Sequence, residues 1–250
     1  MARQRGPLKV QGTLGDLNFY KSQDGFLIRE KGGVDAKRIK NDPAFQRTRE
    51  NGMEFGRAGK DGKLLRTALR QVLLHADNRL VSRMQRAMML VLKEDPVNAR
   101  GKRTVAGGRL DLLKDFEFNI NSPLSSLFFA LYTVTINRVT GIIALDIPSF
   151  DPTNVLFAPS GTTHFKIISC GATVNFEDRT FVSLTDASAV MPWDSTPTAA
   201  LSHSHAVTAN STDAMFLVLT LQFYQEVNGE YYLLHNGIYN SSAVLRVDQV

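Results

Sequence analysis

The chain has one cysteine and one tryptophan, and its second half is nearly without basic residues. A lone Cys170 excludes an intramolecular disulfide and any zinc-finger spacing. Its place in the apolar run from Phe165 to Ala172 reads as a buried thiol rather than a nucleophile. Long apolar runs are missing too. The richest, Leu124 to Ile136, is interrupted by Ser125, Ser126 and Thr133 and is too short to span a bilayer, so no membrane insertion is expected. Met1-Ala2-Arg3-Gln4-Arg5-Gly6-Pro7 carries charge with no apolar stretch behind it, unlike a secretory signal. These absences give the expectation of a soluble protein kept in the cytoplasm.

What is present is a globular composition with its charge divided. Of 250 residues, 43% are hydrophobic and 21% charged, enough to build a core. Residues 1–114 hold 25 of the 29 Lys and Arg against 12 of the 24 acids, a net of +13, and residues 115–250 are left with −8. Such a division points to an acidic partner for the first half: nucleic acid, a membrane surface, or the acidic half of another copy.

The pattern predicts an α+β fold: an N-terminal β-hairpin arm and basic helices, followed by an antiparallel β-sandwich of about seven strands. Residues 1–41 read as the arm. Leu8, Val10, Leu14, Leu17, Phe19, Phe26 and Ile28 recur at near-period-two spacing, with Gln23-Asp24-Gly25 as turn. Residues 42–95 read as a basic helical region opened by Asp42 as N-cap and Pro43. Gly52, Gly56, Gly59 and Gly62 allow two readings there: a side-chain-free helix face or a loop. Leu64, Leu65, Ala68, Leu69, Val72 and Leu73 then repeat at helical spacing. Residues 96–115 are rich in Gly and Arg and read as a linker. Residues 116–250 are β-branched and aromatic, with Asn228-Gly229 as the clearest hairpin turn and Asp186 to Asp213 as a polar crossover loop.

No catalytic signature stands out. Gly56 to Lys63 resembles a phosphate loop but lacks its spacing, its Ser or Thr and its preceding strand. His203 and His205 would share one face if extended, and a metal would need Asp194, Asp213 or His164 to converge with them. Ser160 has no base beside it, and Glu177-Asp178 reads as a solvated turn. The chain is therefore read as non-enzymatic, with no cofactor, no metal and no catalytic residue. Arg57, Lys60, Lys63, Arg66, Arg70, Arg79, Arg83 and Arg86 form the candidate nucleic-acid-binding set, since Arg suits phosphate contact.

The runs Gly12-Thr13-Leu14-Gly15-Asp16-Leu17-Asn18-Phe19-Tyr20-Lys21-Ser22 and Arg29-Glu30-Lys31-Gly32-Gly33-Val34 resemble an uncharacterised family of small Bacteroidota proteins. So do Asp42 to Asn51, Phe55 to Lys60 and Leu221 to Gly229. The resemblance implies a bacterial origin and carries over no activity and no site residue. The order of arm, basic helices and sandwich looks like the layout of self-assembling shell or filament subunits. The leading expectation is thus a structural protein that forms homo-oligomers. Leu17, Phe19, Tyr20, Phe26 and Ile28 would be the arm's anchors, and Arg29 and Lys31 its charge partners. The alternatives are nucleic-acid binding by the basic helices, and a ligand- or carbohydrate-binding sandwich with Trp193 as a stacking platform.

Overall fold

The structure, a computed structural model, describes residues 2–250 and shows a mixed helix and antiparallel-sheet fold. The chain separates into two compact units, residues 1–50 and 51–250.

In the first unit, β1 (Ala2–Arg3), β2 (Gly12–Leu14), β3 (Leu17–Ser22) and β4 (Gly25–Glu30) form an antiparallel sheet of order β1-β4-β3-β2. The expected turn is there: Ser22 pairs with Gly25, leaving Gln23 and Asp24 as a two-residue loop. A second tight turn, Gly15-Asp16, joins β2 to β3, with Gly15 at a φ of 55° that a side chain would disfavour. A short helix, α1 (Ala36–Asn41), follows, capped by Asp35 through Lys37 N at 2.6 Å. Asp42 caps as predicted, but it opens a single 3-10 turn, Pro43–Phe45, that runs into α2 (Gln46–Ala68).

The second unit settles the glycine question. α2 is one unbroken helix, and α3 (Leu80–Lys93) crosses it at the glycines. A Cβ on Gly59 would lie 2.9 Å from Gln85 Oε1, and one on Gly62 3.2 Å from Met84 Cγ. Gly52 and Gly56 face open space, so only half of the run serves the crossing.

The strands are β5 (Thr133–Asn137), β6 (Ile142–Ile147), β7 (His164–Asn175), β8 (Thr180–Ala187), β9 (Met191–Pro192), β10 (Leu201–Ala206), β11 (Ala214–Val227), β12 (Glu230–Leu233) and β13 (Ser241–Asp248), with a one-turn helix α4 (Pro152–Val155) between β6 and β7. They divide into a six-stranded sheet, β12-β11-β7-β8 with β13 on β11 and β9 on β7, and a three-stranded sheet, β10-β6-β5. The antiparallel arrangement is as expected, with nine strands where the spacing suggested a sandwich of about seven.

The two long central strands, β7 and β11, are buried on both faces, which is why they read as near-continuous apolar runs. Alternate side chains serve two cores. Cys170, Ala172, Val174, Phe216 and Val218 join Leu65, Leu69, Met84 and Met88 of the helical side. Phe165, Ile167, Leu217, Leu219 and Phe223 join Ile143, Leu145 and Ile147 of the three-stranded sheet. Residues 96–115, expected as a linker, belong to the first core through Val105, Leu110 and Leu113. Gly107 and Gly108 are packing glycines there: a Cβ on Gly108 would sit 2.1 Å from Val91 O. Asp95 organises the same stretch by accepting from Val97 N, Asn98 N and Thr104 N at 2.9–3.0 Å. Burial works against its charge, yet these bonds hold its carboxyl far below the usual range.

The polar stretch 186–213 is not simply a crossover loop. It supplies β10, whose Ser-His-Ser-His alternation places Ser202 and Ser204 outward and buries His203 and His205. Polar residues on both faces masked the strand's period of two.

Candidate functional site

Three places gather residues with chemistry. The first is the arm sheet. Its register puts Leu14, Leu17, Phe19, Phe26 and Ile28 on one face. Tyr20 falls on the other, beneath Arg29, whose guanidinium sits 5.4 Å from the Tyr20 ring centroid. The seven nominated residues therefore split between two faces, with Lys31 beyond the end of β4. No described residue of this unit is buried, and Leu8, Leu14 and Leu17 are 84%, 74% and 43% exposed. Isolated small sheets of this kind are marginal in water without a partner surface.

The second place is the basic helical region, where the structure sorts the eight nominated residues into two kinds. Arg57 is structural: its Nε donates to Arg103 O at 2.8 Å, and its Nη2 to Gly101 O. Arg83 is structural as well, donating to Glu117 O at 2.6 Å, Phe118 O at 3.2 Å and the Asp77 carboxylate. Arg66 is half-buried, with its Nε lacking a partner. Lys60, Lys63, Arg70, Arg79 and Arg86 are exposed. Two acids of α2 are withdrawn from its surface. Glu54 is buried against Gly101 N at 2.7 Å, and Asp61 is buried against Arg179 at 3.1 Å. Burial raises the Asp61 carboxyl, with Arg179 pulling the other way.

The charge division also looks different in three dimensions. Residues 51–114 carry 14 bases and 6 acids, and residues 115–250 carry 4 and 12. Both lie in the second unit, which is thus neutral, while the 11 bases and 6 acids of residues 1–50 leave the arm unit at +5. The opposed halves are joined inside one unit through a shared core and the Asp61–Arg179 pair.

The third place is the buried imidazole pair. Ser169 Oγ lies 2.7 Å from His203 Nδ1 and 2.9 Å from His205 Nε2, all three residues being at most 5% exposed. Gly171 makes room for the His205 ring, since a Cβ there would lie 2.6 Å from His205 Cβ. Burial lowers the pKa of both rings, with Asp186 pulling them up. The further ligands weighed for a metal do not converge on the pair. His164 packs at a tilt against Tyr231, ring centroids 4.6 Å apart, Asp213 accepts from Asn175, and Asp194 caps Thr196 N. Among the described residues, no group of three or more His, Cys, Asp or Glu is placed to hold a metal ion. With Ser169 sealed from solvent, the trio serves packing.

No family model, curated protein or solved structure matches this chain. Geometry alone therefore carries the functional reading.

Other sequence candidates are placed as follows. Trp193 is half-buried against the second core, with its Nε1 buried and unpartnered, so it plugs a seam rather than offering a stacking platform. Cys170 is buried, and burial pushes its thiol up, as expected of an inert side chain. Among the described residues no helix is long and apolar enough to cross a membrane. Sequence reasoning missed a polar cleft beside the start of α3, because its residues come from three distant stretches: 75–86, 119–121 and 235–238.

Proposed function

We propose that this protein is a non-enzymatic structural subunit that self-assembles, its arm sheet docking on the 51–250 unit of a second copy. The observation that carries this is a four-stranded sheet with no buried residue, whose one face holds five apolar side chains together with Lys21 and Glu30. Exposed apolar β surface of this kind is a template for association. A second copy is favoured as partner by charge. The arm unit is at +5, while Asp146, Glu177, Asp178, Glu226 and Glu230 are exposed on the strand-rich part and Lys166 is the only lysine after Lys114. Sandwich-like packing of the six- and three-stranded sheets would give the assembly its rigid body. A head-to-tail contact of this type closes into a ring or runs on as a filament.

Light scattering on the full chain tests the reading, with the double variant Phe19→Asp/Ile28→Asp beside it. The native protein should be a defined multimer, and the variant should shift to the monomer mass with an unchanged thermal transition of the larger unit. A native monomer sinks the reading, as does a variant that keeps the native mass.

A further inference from the structure

At the start of α3 a cleft of about 700 Å3 is lined by Arg79, Ser82, Arg83 and Arg86 together with Ile120 and Asn121. A second cleft, of about 420 Å3, is lined by His75, His235, Asn236 and Ile238, among others. Asp77, Asn78 and Asn121 line both, so the two adjoin. We propose that together they form a groove for a nucleotide unit, with its phosphate at the arginines and its base at the histidine and asparagine end.

The arginine end is built for an anion. Arg79, Arg83 and Arg86 lie at i−4, i and i+3 and so share one helix face. Arg83 is held rigid by its two carbonyl bonds and by the Phe116 ring 5.2 Å away, while its Nε is buried without a partner. Asp77, the one carboxylate in the lining, is turned inward with its side chain 1% exposed. It accepts from Arg79 N at 2.7 Å, from Ile120 N at 3.1 Å and from Arg83. Burial opposes its charge, and those bonds still hold its pKa below the usual value. The outward groups are thus Arg79 and Arg86, whose planar guanidinium forks match phosphate oxygens.

The other end suits a heterocycle. Asn78, Asn121 and Asn236 each offer a donor and an acceptor, which base edges require. Ile238, 58% exposed, supplies apolar surface for a ring face there. His235, Asn236 and Gly237 are three consecutive residues at positive φ, of 46°, 54° and 79°. Such strain persists where surrounding structure imposes it and concentrates at ligand sites. Gly237 is pressed onto His75, whose Nδ1 would be 2.5 Å from a Cβ there.

The test is isothermal titration of the full-length protein with adenosine monophosphate, with pyrophosphate and with a short thymidine oligonucleotide. Each is run at about 50 and about 200 mM salt, a range that resolves phosphate contacts. The nucleotide should bind more tightly than pyrophosphate. Arg79→Glu/Arg86→Glu should weaken it about tenfold or more, the scale of hydrogen bonds to charged groups. Lys60→Glu/Lys63→Glu, on α2, should not weaken it. Asn121→Ala should weaken the nucleotide and leave pyrophosphate unchanged. Binding of the mononucleotide identifies a free nucleotide as ligand. Binding of the oligonucleotide alone, lost in the same arginine variant, identifies a nucleic-acid strand. No binding of either overturns the proposal, and so does affinity indifferent to Arg79 and Arg86, or pyrophosphate bound as tightly as the nucleotide. Because none of these readouts depends on oligomeric state, the groove can fail while self-assembly stands.

Discussion

Residues 1–50 and 51–250 use the same local language and arrive at opposite outcomes. Both contain antiparallel strands joined by tight turns. In the larger unit, alternate side chains of β7 and β11 feed two cores at once, and Phe165, Phe216 and Phe223 are wholly withdrawn from water. In the smaller unit Phe19 and Ile28 pair across β3 and β4 yet stay half exposed. A period of two therefore specifies which side chains share a face, and says nothing of what covers that face.

The sharpest way to break the comparison is to make the same kind of truncation in each unit. Phe216→Ala should cost about 3–5 kcal/mol, the usual penalty for an emptied aromatic site, read as a lowered denaturation midpoint. Phe19→Ala should leave that midpoint nearly unmoved. Equal losses would mean that the arm sheet has a core after all.

A smaller effect is expected at Gly108. An added methyl there meets Val91 O at a distance no Cβ tolerates, so Gly108→Ala should cost about 1–3 kcal/mol through backbone displacement. The matching change in open space, Gly56→Ala on α2, should stabilise by a few tenths of a kcal/mol to about 1 kcal/mol. Chemical denaturation of the two variants compares them directly.

The smallest effect is the dependence on pH. His203 and His205 have folded-state pKa values below the ordinary 6.5, so the unfolded chain binds protons more readily. Their contribution to stability is present in full above about 6.5 and is lost as pH falls from there through the depressed folded values. Asp95 follows the same sign, but its loss comes only in strong acid. Stability measured from pH 8 down to 5 should fall, and His205→Gln should flatten that slope. An unchanged slope would show that the rings do not govern it. In the arm unit the exposed Asp42 carboxyl is lowered by its bonds from Ala44 N and Arg38, so its change lies in acid below that window.

Much of the architecture was legible from local chemistry. The Gln23-Asp24-Gly25 turn, the Asp42-Pro43 start, the first part of the Leu64 to Leu73 stripe and the buried Cys170 are all set by neighbours within a few residues, although α2 ends at Ala68 and the stripe goes on through a 3-10 turn, Arg70–Val72. What escaped depends on distant partners. Gly107 and Gly108 look like linker residues until Val91 is brought against them. β10 looks like a loop until Gly171 opens space for His205. Arg57 and Arg83 look like a binding face until the carbonyls of residues 101, 103, 117 and 118 claim them. The charge division misled for the same reason. A +8 segment and a −8 segment can be sought in two molecules, and the fold joins them in one.

One hydroxyl between two imidazoles has a further consequence. Ser169 has a single proton to give, and two rings approach its oxygen from His203 Nδ1 and His205 Nε2. If Ser169 donates to His203, that ring keeps its hydrogen on Nε2, and His205 must donate from its own Nε2. If the bonds run the other way, both hydrogens move to Nδ1. While the hydroxyl proton lies between these two rings, the direction in which one rotor points therefore sets both neutral rings to the same tautomer.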